Sequence, residues 1–302
     1  MNGLILYNQY DYEKNIRFAE LLTEHGKACG LKLSVCFTED LRYTPDFLAA
    51  LGNPCFVINR SRNLPAARFF EKNNIRVFNS AKVCEIANDK DLTKQYLKSF
   101  AIPYTDYAVV NLSEYIENVG SSEIQTILYC NILEILSDNN LTFPLVAKPS
   151  DGHGGNLVEL IYNASELKAY IKKIFICNTT TITKILFERP ASDCGKDLRV
   201  YVLGNKIIAA VLRQSSGFRA NFSLGASASL HTLTDEERAL AEQVIQALPS
   251  DLIGIDLIYD HDHPVFSEIE DAVGCRMLYQ TTDLDIAREY VSYIASSMPY
   301  TH

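Results

Sequence analysis

The sequence of 302 residues lacks the features that mark several classes of protein. Its apolar runs are short and interrupted, so no segment is predicted to span a bilayer. No basic stretch precedes an apolar one at the N-terminus, so no secretory signal peptide is expected. No internal repeat or low-complexity segment occurs, and 47% hydrophobic and 22% charged residues are ordinary values for a globular chain. These absences exclude disordered, collagen-like and fibrous proteins and favour a cytoplasmic location.

The eight cysteines include no Cys-x-x-Cys pair. Their spacing fits neither a zinc knuckle nor a dense disulfide framework. We therefore expect most of them to be small buried apolar residues in a reducing compartment, as in the apolar segment around Cys36. No Ser/His/Asp or Cys/His order indicates a covalent nucleophile either.

The chain has fewer positively charged than negatively charged residues. Lys and Arg number 28 and Asp and Glu number 37, so the net charge is −9. Such a chain has no bulk attraction for polyphosphate or for anionic lipid, so neither nucleic acid nor a membrane is expected as a partner. A local basic pocket would still allow a small anionic ligand to bind.

Apolar patterning predicts a mixed fold of α/β and α+β regions. Over residues 1–80 short strands alternate with helices, which indicates a small open α/β domain. After residue 183 the predicted strands follow one another closely, which indicates antiparallel pairing. Thr234, with Glu237 three residues on, predicts a capping box at the start of a helix.

Between these regions we expect a mostly helical segment over 112–140, broken at Gly120-Ser121-Ser122, and two further helices. One spans 81–100 and ends before Ile102-Pro103, because the residue before a proline avoids the helical conformation. The other begins near Ser165, whose hydroxyl can cap it, and continues to about residue 174.

A strand over 144–150 ends in a lysine and a glycine-rich loop. Glycines let backbone N–H groups approach an anion closely, and a lysine supplies a point charge, so phosphate binding is the natural use. Neither a Walker A loop nor a Rossmann fingerprint fits, because no helix opens after the loop. An ordinary hairpin turn is the alternative, with the histidine facing solvent. The segment reads Lys148-Pro149-Ser150-Asp151-Gly152-His153-Gly154-Gly155.

Three carboxylates lie on two predicted strands near the C-terminus. Asp256 is on the first strand, and Glu268 and Glu270 lie two apart on the second, so both of these point to one face. Two carboxylates on one face repel each other unless a cation or a base lies between them. Three oxygen ligands suit Mg²⁺, which binds through a few carboxylates and substrate phosphates. The alternative is a solvated acidic face, but the neighbouring apolar residues favour the metal site.

A polar segment with two arginines follows another predicted strand. It runs from Arg213 through Arg219 to Asn221 and beyond. Arginines at the end of a strand can hold phosphate or carboxylate through forked hydrogen bonds. An ordinary polar loop would explain the same composition.

In this order the features resemble the ATP-grasp superfamily, and within it the RimK-like carboxylate–amine ligases. The resemblance covers about 79–277, while the N-terminal α/β unit matches the family's pre-ATP-grasp domain in type only. The motifs that carry it are Asn79-Ser80, Asn88-Asp89-Lys90, Ile102-Pro103, Val146-Ala147-Lys148-Pro149 with the glycine loop, Gly195-Lys196-Asp197-Leu198-Arg199-Val200-Tyr201-Val202, Arg213-Gln214, Phe218-Arg219-Ala220-Asn221, Gly254-Ile255-Asp256 and Glu268-Ile269-Glu270.

The resemblance implies an ATP-grasp fold in three parts. These are a pre-ATP-grasp domain over 1–80, a central lobe over 81–187 that carries the glycine-rich loop, and a C-terminal lobe over 188–302 that carries the metal site. The two lobes would clasp ATP between them.

The resemblance also implies which residues contact ATP. Lys90 and Lys148 would contact its phosphates from two sides, and the loop from Ser150 to Gly155 would close over them. The segment Glu188-Arg189-Pro190 would hydrogen-bond adenine through backbone groups.

The remaining implied roles concern catalysis and metal. Arg213 would stabilise the transferred phosphoryl group, while Arg219 and Asn221 would face the substrate and the phosphates. Mg²⁺, with Mn²⁺ as a second candidate, would lie between the β- and γ-phosphates. Its ligands would be Asp256, Glu268 and Glu270.

The sequence departs from the family at two places. The family usually has asparagine at the position of Glu270, followed by a Pro-Gly turn, and the stretch over 103–148 is longer than usual. A hard cation still suits an additional carboxylate, so the expectation of metal binding holds. The substrate is not carried over, because recognition often differs in such places.

The implied activity is ATP-dependent formation of an amide or peptide bond through an acylphosphate, with release of ADP and phosphate. The substrates would be small-molecule or peptide carboxylates and amines. One alternative is an ATP-binding regulatory or scaffolding module without turnover, which the altered turn at Glu270 suggests. Another is a pair of α/β domains that bind no nucleotide. The sequence leaves the substrates and the oligomeric state open, a homo-oligomer included.

Overall fold

The computed structural model describes residues 1–116, 122–176, 182–215 and 227–298. The strands within these ranges are β1 Asn2–Tyr7, β2 Lys32–Phe37, β3 Phe56–Asn59, β4 Arg76–Phe78, β5 Tyr107–Asn111, β6 Leu145–Pro149, β7 Glu159–Ile161, β8 Lys184–Glu188, β9 Lys196–Leu203, β10 Lys206–Gln214, β11 Ser227–Leu230, β12 Leu252–Asp260 and β13 His263–Glu270. The helices are α1 Gln9–Ala28, α2 Pro45–Ala50, α3 Leu64–Lys72, α4 Ala81–Ala87, α5 Lys90–Lys98, α6 Ser113–Ile116, α7 Ser122–Asp138, α8 Ala164–Ile176, α9 Asp235–Ala247, α10 Arg276–Thr281 and α11 Ile286–Ser297.

The first sheet has the strand order β2-β1-β3-β4, and all its strands are parallel. Every residue of β3 is buried, as expected for a parallel strand that is covered on both faces. Strand β2 lies on one side of β1, and β3 and β4 lie on its other side, so the direction in which strands are added reverses between β1 and β3. Ligands of open α/β sheets bind at the carboxyl edge beside such a reversal. The predicted open α/β unit is confirmed.

The second sheet has the antiparallel order β5-β8-β6-β7. Its edge strand β5 was not predicted, because its residues follow a proline break and show little apolar alternation. The expected single helix over 81–100 is wrong: α4 ends at Ala87, and Asp89 caps α5 by accepting from the N–H groups of Asp91 and Leu92. A second capping residue inside the segment therefore starts a new helix.

The start of α8 also differs from the expectation. The side chain of Asn163 accepts hydrogen bonds from the backbone N–H groups of Ser165 and Glu166, both at 3.0 Å. Ser165 therefore lies within the helix and does not cap it. Asparagine two positions earlier is the stronger capping residue there.

The third sheet has the antiparallel order β11-β10-β9-β12-β13. This confirms the antiparallel pairing predicted after residue 183. The capping box of Thr234 and Glu237 is present at the start of α9, and α9 packs beside β12 and β13. The paired strands bring charged side chains from β9, β10, β12 and β13 to one region.

The hydrophobic core joins the first sheet to the C-terminal end of the chain. Helix α11 packs against α1, and a single apolar cluster contains Phe56 of β3, Tyr201 of β9 and Tyr290 of α11. Helix α11 therefore contributes to the core of the N-terminal unit. The division of the chain at residues 80 and 187 stays a prediction.

Seven cysteines fall within the described ranges, and all of them are free thiols. The expectation that most are buried is wrong, because several lie at the ends of secondary-structure elements. The buried ones are Cys36, Cys84 and Cys275, and the exposed ones are Cys29, Cys55, Cys130 and Cys194. No helix in the described part of the chain has the length and apolar character needed to cross a membrane.

Candidate active site

A cavity of about 330 Å³ is lined by residues of the second and third sheets and by the glycine-rich loop. It brings together most of the residues predicted to form the site. The predicted residues on its walls are Lys90, Lys148, Gly152, Gly154, Gly155, Glu188, Arg189, Pro190, Arg213, Asp256, Glu268 and Glu270. Ser150 is buried, and His153 is exposed. Arg219 and Asn221 lie outside the described residues.

The three predicted metal ligands meet on the third sheet. We call Asp256, Glu268 and Glu270 the acidic cluster. Asp256 of β12 lies opposite Glu268 of β13, and Glu270 lies opposite Gly254. One carboxylate oxygen from each of the three residues lies within 4.8 Å of the others. A set of three hard oxygen donors at this spacing fits a divalent cation such as Mg²⁺.

Two arginines hold these carboxylates. Arg199 donates to both oxygens of Asp256, at 2.7 and 2.6 Å, and lies 2.9 Å from Glu270 Oε2. Arg213 donates to Asp256 Oδ2 at 2.8 Å and also to Asp197. Burial alone would raise the pKa of Asp256, but the two guanidinium charges hold it well below its usual range. The arginines therefore keep Asp256 ionised.

Arg199 is a site residue to which the sequence assigned no role by itself. In the structure it lies directly opposite Asp256 in the register of β9 and β12. Its neighbours in β9, Leu198 and Val200, are fully buried. A charged residue between two apolar residues of a strand was the sequence signal that could have indicated a role for Arg199. Only the strand pairing identifies its partner.

A second charged cluster surrounds Glu188 at the end of β8. Its buried carboxylate accepts hydrogen bonds from Lys94, Lys148 and Thr105. Burial favours the neutral form, but the two lysines outweigh it and hold the pKa of Glu188 below its usual range. Burial alone would lower the pKa of Lys148, yet Glu188 raises it. The side chain of Glu188 therefore orients Lys148. From the sequence, Glu188 was expected only to contact adenine through its backbone.

Lys94 was not predicted as part of the site. It lies four residues after Lys90 on α5, and its side chain is fully buried. Burial lowers its pKa, and Glu188 only partly offsets that effect. The spacing of four residues was the signal in the sequence, since residues i and i+4 share one helix face.

The glycine-rich loop is attached to the start of α5. Lys90 donates through Nζ to the carbonyl of Gly152 and lies 3.3 Å from Glu268 Oε2. Its backbone N–H donates to the carbonyl of Ser150 at 2.9 Å, and the Ser150 hydroxyl donates to Asp89. Ser150 thus anchors the base of the loop. Lys90 connects the loop to the acidic cluster.

The segment after β8 is held by the end of β12. The Arg189 guanidinium donates two hydrogen bonds to Asp260, at 3.1 and 2.7 Å. The backbone N–H of Ser192 donates to the same carboxylate at 3.1 Å. These contacts fix the wall where the sequence places the adenine contacts.

The cavity beside the glycine-rich loop is thus lined by several lysines and arginines and by three carboxylates, an arrangement that fits an anionic ligand together with a divalent cation. A family model described as the RimK-like ATP-grasp domain matches residues 123–294. Because this match covers more than half of the chain, the protein belongs to the RimK-like ATP-grasp family.

Known relatives are similar to the chain in sequence, and a solved structure is similar to it in fold. An uncharacterised protein of Mycoplasma genitalium is 28% identical over 300 residues, which are 97% of this chain and 92% of that protein. A Vibrio vulnificus protein named "Probable alpha-L-glutamate ligase" is 28% identical over 233 residues, covering 75% of this chain and 69% of that protein. The crystal structure of a RimK-domain ATP-grasp protein from Sphaerobacter thermophilus has a TM-score of 0.68 at 18% identity, covering 98% of each chain. The predicted family and the ATP-grasp fold are confirmed.

Proposed function

We propose that the protein is an ATP-dependent ligase that joins a carboxylate to an amine on an amino acid or a short peptide. The observation that carries this proposal is the convergence of Lys90, Lys148 and Arg213 with the acidic cluster on one cavity. Membership in the RimK-like family supports it, as does the similarity to a relative named as a glutamate ligase.

The proposed reaction proceeds in two steps. The γ-phosphoryl group of ATP is transferred to an oxygen of the substrate carboxylate, which gives an acylphosphate and ADP. The amine then attacks the acyl carbon, phosphate leaves, and the amine gives up a proton as the amide forms. Phosphorylation is needed because a free carboxylate has only oxide as a leaving group.

The residues of the chain would lower the repulsion between the two reacting anions. Lys90 and Lys148 lie where they can contact phosphate oxygens, and Arg213 lies beside Asp256 at 2.8 Å. Cationic groups fixed before the reaction stabilise the charge that develops on a transferred phosphoryl group. Glu188, which is itself held by Lys94, keeps Lys148 in place on the cavity wall. Arg219 and Asn221 stay predicted substrate contacts.

Asp256, Glu268 and Glu270 would hold the divalent cation, with Mg²⁺ as the proposed ion and Mn²⁺ as the second candidate. When bound, such a cation neutralises phosphate charge. The extra carboxylate at position 270 fits this site, because Arg199 lies 2.9 Å from it and balances its charge. Relative to the usual asparagine, Glu270 adds one negative charge to the ligand set, and Arg199, which it shares with Asp256, offsets part of that charge.

The glycine-rich loop would exclude water from the acylphosphate, which hydrolyses readily. Gly154 has a φ of 68°, and no atom lies within 4 Å of the position that a side chain would occupy there. Such a loop can approach a phosphate through its backbone and close over it. The cytoplasmic location, the lack of nucleic-acid partners and the oligomeric state stay predictions.

The proposal is tested by measuring ADP release from Mg-ATP in the presence of L-amino acids and short peptides. Wild-type protein should release ADP with at least one pair of substrates. The variant Glu268→Ala should lose turnover by about 100-fold or more, because it removes one of the three carboxylates that would hold the cation at the phosphates. The matched control Glu242→Ala changes an exposed residue of α9 and should retain full activity.

Two outcomes would contradict the proposal. Unchanged ATP binding and turnover in Glu268→Ala would show that the acidic cluster is not the metal site. ATP binding without ADP release over the whole panel would favour a regulatory or scaffolding module.

A further inference from the structure

The cations that line the cavity differ in whether the protein supplies them with a carboxylate partner. Five of these cations form an ion pair with an aspartate or glutamate of the protein. Lys196 instead lies 3.9 Å over the ring of Tyr259. Arg276 is exposed on the cavity wall, and within the described ranges it forms no ion pair or hydrogen bond. The paired cations are Lys90, Lys148, Arg189, Arg199 and Arg213.

The backbone just before Arg276 is held at four successive carbonyl groups. Each carbonyl accepts a hydrogen bond from a side chain of the first or third sheet or of the segments that follow their strands. The turn therefore cannot shift without breaking several buried hydrogen bonds, each of which would leave a polar group unpaired. The four contacts are Asn79 Nδ2 to Asp271 O at 2.8 Å, Arg62 Nη2 to Ala272 O at 3.3 Å, Arg60 Nη2 to Val273 O at 2.6 Å and Tyr201 Oη to Gly274 O at 3.0 Å.

Close packing holds the same turn from another side. A β-carbon at Gly254 would lie 2.7 Å from Cγ2 of Val273, so the strand β12 and the turn are already in contact. Arg276 follows Glu270 by six positions, and Gly274 and Met277 line the cavity with both of them. The fixed turn thus places Arg276 on the wall of the cavity that the acidic cluster also lines, and no described residue pairs with its guanidinium group.

We propose that Arg276 binds a substrate carboxylate that is not the one phosphorylated, so that it selects substrates with a second free carboxylate. This inference rests on the proposed ligase function. The reacting carboxylate has to accept the phosphoryl group, so it cannot stay engaged in a fork of hydrogen bonds. A second carboxylate on either substrate can stay engaged, because a guanidinium group binds a carboxylate with two parallel hydrogen bonds.

Position supports this assignment. The other arginines on the cavity wall are already held by aspartates, which fixes them for phosphate or for positioning roles. Arg276 follows a firmly held turn, and none of the described residues engages its charge, which suits the binding of an incoming anion. The carboxylate could belong to the acid that is activated or to the amine that attacks, and the kinetic test separates the two.

The test compares Arg276→Ala, Arg276→Lys and Arg276→Glu with the matched control Arg238→Ala, an exposed arginine on α9. The probes are L-amino acids and dipeptides, each paired with the analogue in which one carboxylate is replaced by a carboxamide. Steady-state ADP release gives KM for the acid, the amine and ATP separately. Calorimetric titration of the same probes in the presence of Mg-ADP gives binding without turnover.

Arg276→Ala should raise KM for one substrate by about 10- to 100-fold, the range expected for a hydrogen bond to a charged group. The KM for ATP and the melting temperature should stay unchanged, which separates this role from a structural one. Wild-type protein should prefer the carboxylate over the carboxamide, and Arg276→Ala should lose that preference. Arg276→Lys should retain part of it, and Arg276→Glu should reverse it.

The substrate whose KM rises identifies the source of the carboxylate. An Arg276→Ala variant that keeps both KM values and the preference for carboxylate over carboxamide would overturn the inference. If wild-type protein binds Mg-ATP but turns over no probe, the ligase proposal fails. In that case the role of Arg276 is tested by the calorimetric affinities for the carboxylate and carboxamide probes. Equal affinities of wild-type protein for the two would overturn that role.

Discussion

Replacement of Glu188 by glutamine should remove the counter-charge from two buried lysines while it retains the size of the side chain. Lys94 is fully buried, and the side chain of Lys148 is only 11% exposed where it lines the cavity, so water can replace the lost counter-charge only in small part. Breaking a buried ion pair by the loss of one partner costs about 3 to 5 kcal/mol, because an uncompensated charge is left behind. We expect the free energy of unfolding of Glu188→Gln to fall by that amount.

The same variant should impair nucleotide binding. Without Glu188, Lys148 loses the group that orients it, and Lys94 repels it. We expect KM for ATP to rise and turnover to fall on the order of 100-fold, as for other charges fixed around a reacting phosphoryl group. Urea unfolding and calorimetric titration of Mg-ATP would measure the two effects separately.

The pH dependence of stability has a defined sign. In the wild-type protein the pKa of Glu188 is below its usual range, so its contribution to stability is present at neutral pH. That contribution is lost as the pH falls through the folded-state value. In Glu188→Gln, burial lowers the pKa of both lysines. The deficit relative to wild type should therefore shrink as pH rises from about 7 toward the usual lysine pKa of about 10.4.

The matched control is Lys94→Met, which removes one lysine and leaves the pair of Glu188 and Lys148 intact. Its stability should be unchanged or raised, because a buried charge is replaced by an apolar side chain of similar length. The double variant should fall between the two single variants. A Glu188→Gln variant with wild-type urea midpoint and wild-type KM for ATP would refute the assignment of Glu188 as the group that positions Lys148.

Three further predictions concern contacts around the same cavity. Arg199→Met should lower the free energy of unfolding by about 3 to 5 kcal/mol in the presence of a chelator and recover part of it with added Mg²⁺; equal losses in both conditions would contradict the metal assignment. Gly254→Ala should cost about 1 to 3 kcal/mol in urea unfolding through its clash with Val273, and Val273→Ala in the same chain should relieve it. Arg189→Ala and Asp260→Ala should raise KM for ATP equally, by about 10-fold, with kcat unchanged; unequal effects would show that the pair does not act as a unit.

Local features of the site were predictable because they depend on neighbours in the chain. The capping box of Thr234 and Glu237 needs only a spacing of three residues, and the structure contains it. The alternation of side chains along a strand places Glu268 and Glu270 on one face regardless of what surrounds them. The lysine at the start of the glycine-rich loop likewise belongs to one continuous segment.

By itself the sequence determined the mixed fold class through the periodicity of its apolar residues. Its ordered motifs indicated the family and the residues of the cavity through their resemblance to known ligases. Only the tertiary structure decided which charged side chains pair with one another. Arg199 meets Asp256 across two paired strands, and Lys94 meets Glu188 between a helix and a strand. The turn before Arg276 is held by side chains from segments far apart in the chain. Such pairings depend on strand register and on packing between sheets, and neither leaves a pattern within one stretch of sequence.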